Sequence, residues 1–226
     1  MYDKPRFLPA GDSSLVIELG DEINKECNEE VIALYGKMKN VKGVSEILPA
    51  YRSLLVYYDP FVTDFYELKE KTEEKFRAIR TQKIEGREFE IPVCYGGEFG
   101  PDLSFVAQYN ELSEEDVIKI HCSRDYRIYM LGFLPGFPYL GGMDERIAAP
   151  RLEKPRTRIP AGSVGIAGKQ TGIYPLESPG GWRIIGRTQF RLYNPLAEDP
   201  VPISAGDTIR FIRISKSEYD EMEEKR

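Results

Sequence analysis

The sequence predicts an α+β protein in which a small α/β sandwich is followed by a β-rich barrel or sandwich. Three observations lead to this prediction. The chain has 226 residues, 41% of them hydrophobic, which is enough for two small domains with buried cores. Roughly the first eighty positions alternate between strand-like and helix-like apolar patterns. The remainder consists mostly of short β-rich runs separated by glycine and proline, as in barrels and sandwiches.

The N-terminal part contains five predicted elements in the order β-α-β-β-α. Residues 13–19 (SSLVIEL) have the apolar centre of a strand, and residues 44–48 and 53–58 are β-rich runs on either side of a short connection. Apolar residues at a spacing of three or four predict helices over 21–39 and 63–80. This order indicates helices on one face of a largely antiparallel sheet.

The second part of the chain is predicted to be mostly β-structure. A strand is expected at 89–95, and two short helices are expected at 102–110 and 113–121. Ser113 and Asp116 are spaced as in a capping box, which predicts the start of the second helix. Further strands are predicted at 126–131, 163–167, 182–185, 189–193 and 208–214.

The polar run at 81–87 is the predicted linker between the two parts. The predicted domains are therefore a small α/β domain at 1–84 and a β-rich domain at 88–216. The charged residues at 217–226 are expected to form a frayed helix or a solvated tail.

Composition excludes several classes of function. Thirty-seven acidic against 31 basic residues give a net charge of −6, which does not favour general nucleic-acid binding. The N-terminal sequence has no signal-peptide layout and no apolar run is long enough for a membrane span, so a cytoplasmic protein is expected. Cys27, Cys94 and Cys122 have no paired spacing, and His121 is the only histidine. Neither a disulfide framework nor a zinc site is therefore expected.

The segment 146–191 differs in charge from the rest of the chain. It contains nine basic and two acidic residues, and eleven of the twenty glycines lie between Gly132 and Gly186. One interpretation is a β-rich segment with tight turns and solvated arginines. The other is a concavity shaped by glycine and lined by arginine and backbone N–H groups, which would hold an anion. Charge alone does not separate the two.

Residues 161–170 are similar to two sequence motifs of catalytic proteins but match neither of them. A phosphate-binding loop requires glycine where Ser163 stands and serine or threonine where Gln170 stands. A nucleophile elbow around Ser163 lacks its first glycine, and His121 precedes it instead of following. A turn at the start of a strand is the better interpretation of Ser163.

Two further segments combine turn residues with aromatic residues. Residues 132–142 contain two prolines and four glycines among large aromatic side chains, and residues 171–182 contain the only tryptophan. Such segments restrict the backbone to particular turns. They are expected either to close one end of a barrel or to form part of a ligand-binding wall.

Longer motifs in these segments resemble a known family, that of KipI and allophanate hydrolase subunit 1. The residues that carry the resemblance are 7–12 (FLPAGD), 132–140 (GFLPGFPYL), 150–151 and 155–156 (both PR), 159–164 (IPAGSV), 166–175 (IAGKQTGIYP) and 178–188 (SPGGWRIIGRT). The similarity extends over nearly the whole chain. It implies a small α/β domain followed by a cyclophilin-like β-barrel.

The resemblance implies a function as one subunit of an ATP-dependent 5-oxoprolinase, which opens 5-oxo-L-proline to L-glutamate. The expected partners are a companion subunit of related cyclophilin-like fold and a LamB-type subunit, and the chain is expected to be inactive alone. ATP with Mg²⁺ is the implied cofactor, bound by the complex or by this chain. Two alternatives remain open: a KipI-type inhibitor of a sporulation sensor histidine kinase, and an allophanate hydrolase or urea carboxylase-type subunit.

The candidate site residues follow from this chemistry, because arginine pairs well with carboxylates and phosphates. The candidate substrate-binding residues are Arg156, Arg158, Gln170, Tyr174, Ser178 and Trp182. His121 is the candidate general acid or base, since it is the only imidazole available for proton transfer.

Overall fold

In this computed structural model, which describes residues 2–79 and 86–224, the chain divides into two compact units, Met1–Glu85 and Gly86–Arg226. Most of the linker predicted at 81–87 lies outside the described residues.

The first unit is a four-stranded antiparallel sheet with two helices. Its elements are β1 (Arg6–Pro9), β2 (Ser14–Glu18), α1 (Lys25–Met38), β3 (Val44–Pro49), β4 (Ser53–Tyr58) and α2 (Phe65–Ile79). The strands lie in the order β1-β2-β4-β3. Leu15 pairs with Val56 and Ile17 with Leu54, and all four side chains are fully buried. The alternation of apolar residues thus sets the register of the two central strands.

Helix α1 begins at Lys25, later than the periodicity predicts. The Asn24 side chain accepts a hydrogen bond from the backbone N–H of Cys27 at 2.8 Å, which satisfies a donor at the helix start. Ile23, counted in the apolar stripe of the sequence, remains outside the helix and exposed. Val31 and Leu34 occupy the buried face as predicted.

The second unit contains a closed barrel of seven strands, in the order β10-β7-β6-β13-β5-β12-β9. The elements of this unit are β5 (Glu88–Tyr95), α3 (Leu103–Tyr109), α4 (Glu114–Cys122), β6 (Asp125–Leu131), β7 (Pro138–Gly141), β8 (Arg156–Ile159), β9 (Ser163–Ala167), β10 (Gln170–Ile173), β11 (Ser178–Gly180), β12 (Arg183–Arg187), β13 (Thr208–Ile214) and α5 (Lys216–Glu224). Strands β5 and β13 are parallel, and β8 pairs with β11 in a separate ribbon. The predicted α+β class, an α/β sandwich and then a β-barrel, is confirmed.

The strand predicted at 189–193 is wrong. After β12 the chain runs as an irregular loop, in which the backbone N–H of Phe190 donates to Oγ1 of Thr188 at 3.0 Å. Leu192 is buried and Phe190 packs against the barrel core. These residues alternate with polar residues, which is the pattern expected of a strand, but in the structure their side chains anchor a loop.

A local capping box and a long-range aromatic contact hold two helices of the second unit. The capping box predicted at the start of α4 is confirmed, because Oγ of Ser113 accepts from the N–H of Asp116 and the Asp116 carboxylate accepts from the N–H of Ser113. In the C-terminal tail, α5 buries Tyr219, whose ring centroid lies 4.5 Å from that of Phe99. No helix in the described part of the chain is long and apolar enough to cross a membrane.

Candidate functional site

A cavity of about 370 Å³ lies at the end of β12 in the second unit, and we call it the β12 cavity. It is lined by Ala161 and Gly162 before β9, by Pro175 and Leu176 after β10, and by most of residues 187–196. Glu223 of α5 completes the lining. Its size falls within the range of about 300–1,000 Å³ that is usual for small-molecule sites.

Gly162 allows the segments around this cavity to approach one another. Its φ is +80°, and a Cβ atom there would lie 2.1 Å from the carbonyl oxygen of Thr188. The Gly162 N–H donates to the carbonyl oxygen of Tyr174 at 2.7 Å, and the Thr188 N–H donates to that of Gly162 at 2.9 Å. Only glycine fits both the backbone angle and the close contact.

Two arginines contribute to the wall of the β12 cavity. Arg187, the last residue of β12, donates from Nε to the carbonyl oxygen of Ala161 at 2.9 Å, which holds its guanidinium against the loop before β9. Arg191 is exposed on the loop after β12. Within residues 2–79 and 86–224, neither guanidinium forms an ion pair with a carboxylate. Their terminal nitrogens are therefore free to bind an anion.

Arg156 and Arg158, two of the candidate substrate-binding residues, are instead paired with carboxylates. Arg156 binds Asp102 through two hydrogen bonds of 2.7 and 2.9 Å, and the same carboxylate accepts from the N–H of Ile184 at 2.7 Å. The hydrogen bonds to Asp102 raise the pKa of Arg156. The exposed Arg158 lies 2.6 Å from Glu177. The Arg156 pair ties α3 to β12 and the β8 ribbon.

Tyr174 and Trp182 lie in a buried aromatic cluster with Phe137. Trp182 and Tyr174 each meet the Phe137 ring edge to face, with centroids 5.5 and 5.3 Å away. Burial raises the pKa of Tyr174 to about 12. Gly180 makes room for this phenol, because a Cβ there would lie 2.3 Å from its hydroxyl oxygen. Both side chains therefore contribute packing in this structure.

Gln170 and Ser178 complete the candidate set. Gln170 begins β10 and pairs with Ala167, whereas Ser178 is buried in β11, where its hydroxyl has no hydrogen-bond partner among the described residues. None of the six candidate substrate-binding residues lines the β12 cavity. Their role in substrate binding stays a prediction.

His121 lies in the interior of the barrel unit, on α4. Its Nδ1 is 2.8 Å from the Tyr95 hydroxyl and its Nε2 is 2.9 Å from Oγ1 of Thr171, and the side chain has no exposed surface. Its ring stacks on Phe211 with centroids 4.4 Å apart. Burial lowers the pKa of His121 to about 3, so the imidazole is neutral at physiological pH. The geometry favours a structural role, and the catalytic role stays a prediction.

A second hollow, of about 430 Å³, lies in the first unit. Its lining includes Phe76, two acidic residues and two basic residues, so the charges of the lining cancel. Nowhere in the described residues do three or more His, Cys, Asp or Glu side chains come together as a metal site would require. The β12 cavity is therefore the better candidate for binding an anionic ligand.

Arg187 and Arg191 belong to the basic segment 146–191, but neither is among the candidate substrate-binding residues. The signal for Arg187 was present, since Gly186-Arg187-Thr188 ends one of the family-like motifs. Arg191 gave no such signal, because it falls in a segment interpreted as a strand.

A model of one protein family matches residues 5–203, and its description is "Carboxyltransferase domain, subdomain C and D". Among curated proteins, the chain is 48% identical over 222 residues to the B-type subunit of 5-oxoprolinase from Bacillus subtilis, with 92% of each protein covered. It is 40% identical over 206 residues to the same subunit from Haemophilus influenzae, covering 91% of this chain and 96% of that one. It is also 25% identical over 256 residues to a urea amidolyase of Lachancea kluyveri, covering 98% of this chain but 14% of that protein.

Solved structures show the same fold. A conserved uncharacterized protein of Pyrococcus horikoshii is 53% identical with a TM-score of 0.58, over 95% of this chain and all of that one. TTHA0988 is 35% identical with a TM-score of 0.80, over 89% of this chain and 40% of that chain. The urea amidolyase of K. lactis, at 21% identity and a TM-score of 0.77 over 96% of this chain and 15% of that one, shows likeness of fold alone.

Proposed function

Because the chain belongs to the carboxyltransferase domain family, subdomain C and D, we propose that it is the B-type subunit of a 5-oxoprolinase. The complex would open the lactam of 5-oxo-L-proline to give L-glutamate. The observation that carries this proposal is 48% identity to the Bacillus subtilis protein over 92% of both chains. The urea amidolyase relative is less similar and shares only 14% of its length with this chain.

The β12 cavity supports this proposal. The substrate is a small anion at neutral pH, because its carboxyl group is ionised. A cavity with two arginines lacking carboxylate partners in the described residues suits such a substrate. Cavity size and charge thus agree with the activity named for the relatives.

In this proposal, ATP hydrolysis supplies the free energy for opening a resonance-stabilised lactam. No group of three or more carboxylate, histidine or cysteine side chains that could hold a metal ion by themselves is present among the described residues. Residues 161–170 form β9 and its turn into β10, without the sequence of a phosphate-binding loop. We propose that ATP with Mg²⁺ binds in the complex, on this chain or on another member, and that the other members are a subunit of related cyclophilin-like fold and a LamB-type subunit.

Reconstitution tests the proposal. The purified chain is mixed with its companion subunits, and glutamate release from 5-oxo-L-proline is measured with and without ATP. We expect release only from the complete mixture with ATP, and none from this chain alone. Equal release from mixtures with and without this chain would contradict the proposal. Allophanate in place of 5-oxo-L-proline tests the urea amidolyase-like alternative, for which we expect no turnover.

A further inference from the structure

We propose that Arg187 and Arg191 form an oxyanion-binding site in the β12 cavity, and that the carboxylate of 5-oxo-L-proline binds there. The identity of the ligand rests on the proposed function. The oxyanion site itself rests on the geometry of the cavity and on the ion pairs made by the other basic residues.

Most basic residues of the segment 146–191 are already neutralised. The five that form ion pairs are Arg146 with Asp144, Arg156 and Arg183 with Asp102, Arg158 with Glu177, and Lys169 with Glu145. In the described part of the chain, Arg151, Lys154, Arg187 and Arg191 have no such partner. Of these four, Arg187 and Arg191 line the β12 cavity and the other two do not.

Other donors lie around the same cavity. The carboxamide oxygen of Asn194 accepts from the N–H of Leu196 at 3.2 Å, an arrangement that leaves the NH₂ group as a donor. Oγ1 of Thr188 accepts from the N–H of Phe190 at 3.0 Å, so its hydroxyl proton remains available. Charged and neutral donors together match the several lone pairs of a carboxylate.

The remaining wall is suited to the rest of the substrate. Pro175, Leu176, Phe190 and Pro195 contribute apolar surface to the cavity. The methylene groups of a small lactam ring can be buried against such side chains, while the carboxylate lies at the arginines. The geometry thus points to a ligand with one anionic end and one apolar side.

Glu223 provides a test of the sign of the electrostatic interaction. It lines the same cavity from α5 and forms no ion pair in the described residues. A carboxylate at this position repels an anionic ligand. Replacing Glu223 should therefore strengthen binding, whereas replacing the arginines should weaken it.

The first experiment measures binding to the isolated full-length chain by titration calorimetry. The probes are 5-oxo-L-proline, 2-pyrrolidone, which is the same lactam without the carboxylate, and inorganic phosphate. We expect 5-oxo-L-proline to bind at least about tenfold more tightly than 2-pyrrolidone, since charge-assisted hydrogen bonds are lost with the carboxylate. Equal binding of the two lactams would overturn the proposal. Arginine-dependent phosphate binding without binding of 5-oxo-L-proline would overturn the carboxylate assignment.

Three variants locate the site. Arg191→Gln should weaken binding of 5-oxo-L-proline about tenfold, and Glu223→Gln should strengthen it about twofold. Arg151→Gln is the matched control, because Arg151 is also unpaired in the described residues but lies outside the β12 cavity. It should leave affinity unchanged. Unchanged affinity in Arg191→Gln with a normal unfolding transition would overturn the site.

The reconstituted enzyme separates this inference from the proposed function. If the wild-type complex is active, Arg191→Gln should raise KM for 5-oxo-L-proline more than it lowers kcat. An active complex whose KM is unchanged by this substitution would overturn the oxyanion site and leave the subunit assignment intact. An inactive wild-type complex would instead contradict the subunit assignment, and the calorimetry would still decide whether the arginines bind an oxyanion.

Discussion

Nε2 of His121 lies 2.9 Å from Oγ1 of Thr171, and this contact fixes the tautomer of the imidazole. The Thr171 hydroxyl donates its only proton to the carbonyl oxygen of Gly165 at 3.1 Å, so it can only accept from His121. Nε2 therefore carries the proton, and Nδ1 accepts from the Tyr95 hydroxyl. Tyr95 in turn accepts from the Cys122 thiol at 3.4 Å. Neutral His121 thus satisfies a buried chain of hydrogen bonds.

This arrangement predicts a loss of stability in mild acid. The pKa of His121 is about 3 in the folded protein and near 6.5 in the unfolded chain, so the unfolded state binds the extra proton between these values. The contribution of neutral His121 to the free energy of unfolding is fully present above about pH 6.5 and is lost as the pH falls below that value. The unfolding equilibrium constant should rise up to about tenfold per pH unit between pH 6 and 5.

The measurement is urea unfolding at pH 7, 6 and 5, compared with His121→Gln. We expect the variant to be less stable at pH 7, because a buried hydrogen bond is disturbed, and to depend less on pH. A wild-type pH dependence equal to that of the variant would contradict a buried neutral imidazole.

Thr171 provides a direct test of the hydrogen-bond directions. Thr171→Val keeps the shape of the side chain but leaves the Nε2–H of His121 and the Gly165 carbonyl without their partner. We expect a loss of about 2 kcal/mol in the free energy of unfolding. Thr171→Ser keeps the hydroxyl and should cost less, since it removes only a methyl group. Equal losses in the two variants would mean that packing, and not the hydroxyl, determines the effect.

Local patterns in the sequence were sufficient for much of the fold. Apolar periodicity identified both helices of the first unit, and the spacing of Ser113 and Asp116 identified the start of α4. The pattern at 189–193 predicts a strand, because Phe190 and Leu192 alternate with polar residues, but in the structure these two side chains anchor a loop. Periodicity reports which residues are buried and cannot report whether their backbone joins a sheet.

The sequence could predict the type of site but not the residues that form it. The sequence indicated an arginine-rich, glycine-shaped region, but it could not show which arginines are already paired. Arg156 meets Asp102 from 54 positions away, and that partnership depends on tertiary structure. The β12 cavity likewise joins Gly162 with Thr188, which are distant along the chain.

Gly162 should be among the least replaceable glycines of the second unit. Gly162→Ala places a methyl group 2.1 Å from the Thr188 carbonyl oxygen at a φ of +80°. We expect the free energy of unfolding to fall by more than about 2 kcal/mol, because steric overlap adds to backbone strain.

Gly168→Ala is the matched control for this substitution. Gly168 also has a positive φ, +58°, but an added Cβ would meet nothing within 4 Å. The free energy of unfolding should therefore fall by only about 1–2 kcal/mol, the cost of backbone strain alone. Chemical unfolding of both variants measures the difference, and equal losses would show that the close approach to Thr188 is unimportant.

Asp102 and Glu177 offer a comparison between a buried and an exposed ion pair. The carboxylate of Asp102 is nearly buried and accepts three hydrogen bonds, two from Arg156 and one from the N–H of Ile184. Asp102→Asn cannot accept all three, and it leaves Arg156 without a counter-charge. We expect a loss of about 2–4 kcal/mol in the free energy of unfolding. Glu177→Gln breaks the solvent-exposed pair with Arg158 and should cost less than about 1 kcal/mol.

The same two variants test whether these pairs stabilise the fold or help to bind substrate. If the Arg156–Asp102 pair acts only on stability, Asp102→Asn should lower the melting temperature of the chain while KM of the reconstituted enzyme at a permissive temperature stays unchanged. A raised KM with an unchanged melting temperature would instead support the candidate role of Arg156 in substrate binding. Arg158→Gln extends the comparison, because its side chain is 76% exposed and contributes little to packing. Any rise in KM in that variant would therefore report ligand contact and not a weakened fold.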